Sequence, residues 1–388
     1  MPEAGDVALA SMRRFVAELV HGGVRHVCLT AGSRSTPIAL AVVLDPRLTV
    51  HVHVDERSSA YFALGVAKAS GAPAVAMCSS GTAAANHLPA VVEASMAREP
   101  LIVLTADRPP ELHGVGANQT IDQQHLFGGY VRRFEDAGVP DEGDDPGRWG
   151  ELARRAIGSS TAHPPGPVHV NLPFREPLVP ADPPAVAPPA ANAGVANAPR
   201  VRRPPDPRDL DAMHELLSGP RRVAVVAGSF HGDAATLLDA AAARGWPVLA
   251  EPASRLRAGS ALSMPELLVA DEDFRATHRA ELVLQVGAAP TTRAMQAFVR
   301  EAATVAIVDP DSVVGDPDRR AALRIDADVA PVIDALPPPS AGAELSWLES
   351  WQRADRAVRR EVDAVIDGWD EPFEGRIARD VAAAVPAE

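Results

Sequence analysis

The chain has 388 residues, of which 46% are hydrophobic, 23% charged and only 4% aromatic. This is a globular composition with room for two or three domains at roughly 100–200 residues each, with cores built from Ala, Val and Leu. The 37 Lys and Arg against 51 Asp and Glu leave a net charge of −14, a field that repels phosphate backbones and anionic lipid. Nucleic acid and membrane surfaces are therefore excluded as expected partners. Cys28 and Cys78 stand far apart in apolar runs, cannot build a disulfide framework, and read as reduced core thiols. No apolar run reaches the roughly 18 residues that a bilayer span requires. Met1-Pro2-Glu3-Ala4-Gly5-Asp6 lacks the basic start and apolar stretch of a signal peptide, so a cytoplasmic protein is expected.

In chain order, Asp6 is placed to cap a helix whose apolar residues Leu9, Met12, Phe15, Val16 and Leu19 recur at helical spacing. Gly22-Gly23 ends it. A strand is predicted at 26–30, then a turn at Gly32 and a helix start at Ser35-Thr36-Pro37. Strands follow at 48–54, 72–78 and 101–106, with helices at 56–70 and 81–97 between them. Strands separated by helices of about 10–15 residues predict an α/β domain with a doubly wound parallel sheet. Residues 177–207 carry ten prolines in 31 positions, which predicts an extended linker. A second α/β domain then follows, with strands at 222–227, 247–251, 282–286 and 304–308 and a helix at 233–244. Pro337-Pro338-Pro339 closes it, a helix runs from about 344 to 368, and residues 371–384 read as the opening helix of something further.

Four strand-to-helix turns carry polar chemistry. In Thr30-Ala31-Gly32-Ser33-Arg34-Ser35-Thr36-Pro37, hydroxyls, free helix-start amides and one guanidinium can converge on an anion, a carboxylate above all; the alternative is an ordinary capped turn. His51, His53 and Asp55 share one face of a strand, as in the HxHxD start of a dinuclear metal hydrolase, but the remaining histidines lack ligand spacing. Glu56 begins an Ala- and Leu-rich helix; it is either a charge favoured by the helix dipole or, if buried, a proton donor or acceptor. Ser79-Ser80-Gly81-Thr82-Ala83-Ala84-Ala85-Asn86 has small residues that admit either a flat ligand or close packing, and it is not a P-loop, since no Lys follows the second Gly position. The amide-rich loop Gly116-Ala117-Asn118-Gln119-Thr120-Ile121-Asp122-Gln123 is either plain surface or a wall for a polar substrate.

Taken together, five motifs carry a resemblance. They are Gly32-Ser33-Arg34-Ser35-Thr36-Pro37, His53-Val54-Asp55-Glu56-Arg57, Ser80-Gly81-Thr82-Ala83-Ala84-Ala85-Asn86, Leu104-Thr105-Ala106-Asp107-Arg108-Pro109-Pro110 and Gly116-Ala117-Asn118-Gln119-Thr120. In this order they resemble the 2-succinyl-5-enolpyruvyl-6-hydroxy-3-cyclohexene-1-carboxylate synthase family of menaquinone biosynthesis, within the thiamine-diphosphate enzyme superfamily. The likeness spans Gly32 to about Gln124 and continues more weakly through Gly166-Pro167-Val168-His169-Val170-Asn171.

The resemblance implies two doubly wound parallel-sheet domains: a pyrimidine-binding domain at 1–180 and a Rossmann-like central domain at 207–337. Between them lies the linker at 181–206, and 338–388 form a linker helix and the start of a diphosphate-binding domain. It implies a transferase that decarboxylates 2-oxoglutarate and joins the remainder to isochorismate. Glu56 would be catalytic, at N1′ of the aminopyrimidine. Ser80, Gly81, Thr82 and Asn86 would join it in holding thiamine diphosphate. Ser33, Arg34, Ser35, Arg108, Asn118 and Gln119 would bind substrate, as would Arg293 at the end of Gly287-Ala288-Ala289-Pro290-Thr291-Thr292-Arg293. For Arg108 a structural ion pair with Asp107 is the alternative. The family's Pro is replaced here by Ala31. The Gly-Asp-Gly stretch that holds magnesium and the diphosphate is not found, so both Mg2+ and diphosphate are expected to bind largely outside this chain, which alone is expected to be inactive. A homo-oligomer, dimer or tetramer, is implied. The competing readings are a non-catalytic scaffold paralogue of the same fold and a metal hydrolase built on His51, His53 and Asp55.

Overall fold

The computed structural model describes residues 3–145, 147–184, 203–219, 222–230, 234–254, 256, 259–311, 315–339, 345–371 and 373–384. The chain divides into two units, Met1–Val201 and Arg202–Glu388. Most of the expected linker, 185–202, and the expected helix starts at Asp233 and Glu344 lie outside the described residues.

The first unit contains β1 (His26–Thr30), β2 (Thr49–His53), β3 (Ala74–Cys78), β4 (Leu101–Asp107), β5 (Arg133–Asp136) and β6 (Val168–Pro173). Its helices are α1 (Ala4–His21), α2 (Thr36–Val43), α3 (Glu56–Ser70), α4 (Thr82–Ala85), α5 (Leu88–Ala97) and α6 (Arg148–Thr161). The strands form one sheet in the order β2-β1-β3-β4-β6-β5, every pairing parallel. β3, β4 and β6 are buried along their whole length, as strands covered on both faces must be. One face packs on α1, α2 and α6 through Met12, Phe15, Leu19, Ile38, Trp149 and Leu152. The other packs on α3 and α5 through Ala60, Ala63, Ala67, Ala90, Val91 and Ala94. Alanine on that side brings helix and sheet close together, which is how a chain with so few aromatics fills its core. Cys28 and Cys78 are free and buried; burial pushes the Cys28 thiol up to about 12 and that of Cys78 up as well, so neither is reactive.

Several boundaries differ from the sequence reading. The first helix starts two residues before Asp6, which instead sits third in a capping box with Glu3. The helix expected at 81–97 is two helices, because Pro89 has no N–H for the carbonyl of residue 85 and forces a new start. β5, whose sequence Arg-Phe-Glu-Asp carries no apolar run, is an edge strand that among the described residues pairs only with β6. α6 was likewise not anticipated.

The second unit contains α7 (Pro207–Leu217), β7 (Val223–Ala227), α8 (Ala234–Ala243), β8 (Val248–Ala250), α9 (Pro265–Ala270), α10 (Glu272–Thr277) and β9 (Leu282–Val286). It continues with α11 (Arg293–Glu301), β10 (Thr304–Val308), β11 (Ala321–Ile325), α12 (Val329–Asp334), α13 (Leu345–Asp367) and α14 (Glu374–Ala384). Its parallel sheet runs β11-β10-β9-β7-β8. α13 docks on it by Trp347 and Trp351, which join the cluster of Val283, Met295, Phe298 and Val305. Buried Asp355 fixes the register of that docking: it accepts from the Ser263 amide at 3.0 Å, the Ser263 hydroxyl at 2.9 Å and the Met264 amide at 2.7 Å. Among the described residues no helix is long and apolar enough to cross a membrane.

Two stability outcomes follow from these packing facts. Asp355→Ala strands two part-buried backbone donors and the Ser263 hydroxyl, and should lower the unfolding free energy by about 1–3 kcal/mol in urea titrations. His87 is fully buried with both ring nitrogens unpartnered among the described residues, and burial lowers it to about 4. Burial likewise lowers His169 to about 3. The unfolded imidazoles titrate near 6.5, so between about pH 4 and 6.5 the unfolded chain binds more protons and stability rises with pH. Urea titrations from pH 5 to 7.5 should show His87→Leu reducing the low-pH slope by about 1.4 kcal/mol per pH unit.

Candidate functional site

The sheet order of the first unit reverses between β1 and β3, and the loops leaving the carboxyl ends of these strands form the crevice where doubly wound sheets bind ligands. The two loops are pressed together. A Cβ on Gly32 would lie 2.3 Å from Ser79 Cβ, so only glycine fits. Gly81 has φ +81, and a Cβ there would meet Gln119 Cγ at 2.9 Å and the Gln119 carbonyl oxygen at 3.1 Å.

This close approach gathers the predicted residues of the crevice. Gln119 donates from Nε2 to the Ser80 carbonyl at 3.0 Å, while the Arg108 guanidinium donates to the Ser80 hydroxyl. Asp107 Oδ1 accepts from the Arg108 backbone N–H, and its charge acts on the guanidinium without a direct side-chain hydrogen bond among the described residues. Burial, and next the neighbouring Arg34 charge, lower the Arg108 guanidinium from its ordinary range. Arg34 is 6% exposed; one terminal nitrogen donates to the Phe174 carbonyl and the other to Glu176, each at 2.9 Å. Ser33 is exposed, but Ser35 is fully buried and its hydroxyl donates to the Gly32 carbonyl at 2.8 Å. Ser35 is thus a turn residue rather than an anion contact. Thr82 and Asn118 are exposed on the same loops.

Glu56 is the first residue of α3 and half-buried, just after the N-cap Asp55, whose carboxylate accepts from the Ser58 amide at 2.7 Å. Asn86 donates to Glu56 Oε2 at 3.2 Å, which joins the β2 and β3 loops. Arg293 lies in the second unit, exposed at the first position of α11 behind the Thr292 cap.

The metal-hydrolase reading fails on geometry. Asp55 is spent as a helix cap, His51 packs against His26 with ring nitrogens 3.1 Å apart, and both His51 and His53 lie on Phe62. Among the described residues no three His, Cys, Asp or Glu side chains are grouped to hold a metal.

The sequence reading missed the layer beneath the crevice. Gln123 accepts from the Gly81 amide at 2.8 Å and donates to the Ala106 carbonyl at 3.1 Å and to Asn171 Oδ1 at 2.9 Å. Asn171 donates to Asp107 at 2.9 Å and accepts from Thr105. Asp107 is fully buried, and burial raises its carboxyl above the ordinary range against the opposing pull of Asn171. An asparagine inside an apolar strand such as Val168–Pro173 was the one available sign of this network.

Comparison with known proteins agrees with this architecture. Residues 11–126 match the thiamine pyrophosphate enzyme N-terminal TPP binding domain, and residues 211–388 match the middle domain of thiamine pyrophosphate enzymes. The 2-succinyl-5-enolpyruvyl-6-hydroxy-3-cyclohexene-1-carboxylate synthase of Thermobifida fusca is 41% identical over 97% of this chain and 67% of its own length. That of Geobacillus kaustophilus is 37% identical over 100% of this chain and 68% of its own. The chain therefore spans about two thirds of the length of these relatives. A solved structure described as a thiamin diphosphate-dependent enzyme from Mycobacterium smegmatis shares the fold with a TM-score of 0.63 at 19% identity, covering 85% of this chain and 63% of that one. With two domain models matched in order and this level of identity along nearly its whole length, the chain belongs to the 2-succinyl-5-enolpyruvyl-6-hydroxy-3-cyclohexene-1-carboxylate synthase family of thiamine pyrophosphate enzymes.

Proposed function

We propose that this chain supplies the pyrimidine side of a synthase that decarboxylates 2-oxoglutarate and adds the remaining fragment to isochorismate in menaquinone biosynthesis. The cofactors of this reading are thiamine diphosphate and Mg2+, and the protein works as a cytoplasmic homo-oligomer. The observation that carries it is Glu56, a half-buried carboxylate at a helix start with one oxygen fixed by Asn86, in a chain of this synthase family.

The residues fit an aminopyrimidine. Glu56 Oε2 is engaged by Asn86, so Oε1 can accept a hydrogen bond from a protonated ring nitrogen. In the small-residue turn of Ser80, Gly81 and Thr82, Thr82 is exposed to meet a flat ring while Ser80 and Gly81 are buried beneath it. When bound, the cofactor supplies a carbon nucleophile that adds to a keto group and accepts the electron pair left by carbon dioxide. Glu56 holds the proton at N1′ that this chemistry requires. Arg34 and Arg108 place two guanidinium groups in one region and so favour a substrate carrying carboxylates, with Ser33, Asn118 and Gln119 as neutral partners. Arg293 is a further carboxylate contact in this reading. No Mg2+ ligand is assigned, because no described cluster fits one.

Glu56→Gln keeps the shape of the side chain but cannot hold the proton. Turnover of the active assembly should fall about 10²–10⁴-fold with little change in the KM for isochorismate. Near-normal turnover would reduce Glu56 to a helix-start charge and sink the cofactor assignment. Arg34→Lys keeps the charge and loses the planar fork, so the KM for isochorismate should rise about tenfold, one decade per 1.4 kcal/mol. Decarboxylation of 2-oxoglutarate without isochorismate should change far less; a defect falling on that half-reaction instead would move Arg34 to the donor site.

A further inference from the structure

Arg34 and Glu176 stand in an unequal pairing. The Arg34 side chain is 7% exposed and that of Glu176 is 71% exposed, yet they meet at 2.9 Å. Arg34 is anchored from below by the Phe174 carbonyl at 2.9 Å, so the guanidinium is fixed while its counter-ion sits on a solvated limb. The contact is also incomplete. Glu176 reaches a single terminal nitrogen, and Arg34 Nε is buried without a hydrogen-bond partner among the described residues. A carboxylate laid along the Nε edge would engage Nε–H and a terminal N–H together, the two-point geometry in which guanidinium binds carboxylates best.

We propose that Glu176 is a place-holding counter-ion, a positioning residue that neutralises Arg34 in the ligand-free protein and is displaced by a substrate carboxylate. This rests on the assignment of Arg34 to substrate. The exchange is downhill for a carboxylate because the incoming group satisfies the orphan Nε–H that Glu176 leaves unpaired, while Glu176 returns to water at little loss, as a largely exposed ion pair does. Arg108 lies within electrostatic reach of both Arg34 and Glu176, so the displaced negative charge is replaced by that of the ligand and the two guanidinium groups are not left facing one another uncompensated. Glu176 thereby selects for ligands that bring a carboxylate: a neutral molecule of the same shape cannot displace it.

The experiment is calorimetric titration of isochorismate into the full 388-residue chain and its variants. Removing the internal competitor in Glu176→Gln should tighten binding about twofold to fivefold, the range expected from loss of one exposed ion pair. Glu176→Asp, which keeps the charge, should return the affinity toward that of the parent, and in an Arg34→Ala background Glu176→Gln should give no gain. Unchanged or weaker binding by Glu176→Gln would overturn the proposal, as would an equal gain in the Arg34→Ala background. If Arg34→Ala itself leaves binding unchanged, or if no variant binds isochorismate, the substrate assignment of the site falls and the proposal with it. If Arg34→Ala weakens binding while Glu176→Gln does not tighten it, the assignment stands and only the place-holder is lost.

Discussion

The crevice of the first unit depends on how closely two backbone loops approach. Gly32 lies where any side chain would collide with Ser79, and Gly81 holds a left-handed conformation against the Gln119 backbone. A methyl group at either position would separate the β1 and β3 loops or push the Gln119 loop away. Both Gln119 and Arg108 donate to Ser80 in the β3 loop, so a change in this spacing moves both side chains at once.

Beneath the crevice the protein holds that spacing with polar groups in its interior. The path from the Gly81 amide through Gln123 and Asn171 to Asp107 is a continuous hydrogen-bonded path, and Asp107 then caps the amide of Arg108. Each member is buried, so an unsatisfied atom would carry a large desolvation penalty, and satisfying all of them favours one geometry over its near neighbours. The network ties three strand ends and one loop into a rigid floor. Glu56 and Arg34 stand outside it. They are placed instead by single contacts, a helix start with an asparagine clamp for Glu56 and the Phe174 carbonyl for Arg34.

Much of the architecture was legible in local patterns. Strands such as Ala74–Cys78 and Leu101–Asp107 declare themselves because a strand covered on both faces must be apolar throughout. β5 and β11 stayed hidden for the converse reason: their mixed sequences lack the apolar or β-branched run that the other two edge strands, β2 and β8, retain. The break at Pro89 was written in the sequence but was outvoted by the alanine-rich run on either side of it.

The amino-acid sequence by itself determined the alternation of strands and helices, the reduced buried thiols, the turn residues at the strand ends and the motifs that carry the family likeness. These are properties of neighbours in the chain, set by periodicity, side-chain size and backbone freedom. Tertiary structure alone decided which distant partners these turn residues meet. Arg34 meets the Phe174 carbonyl and the Glu176 carboxylate, 140 and 142 positions away in sequence, and Asn86 meets Glu56 from 30 positions further on. A hydrogen bond is fixed by distances of about 3 Å between groups whose separation along the chain carries no trace of that proximity, so only the folded sheet could place them.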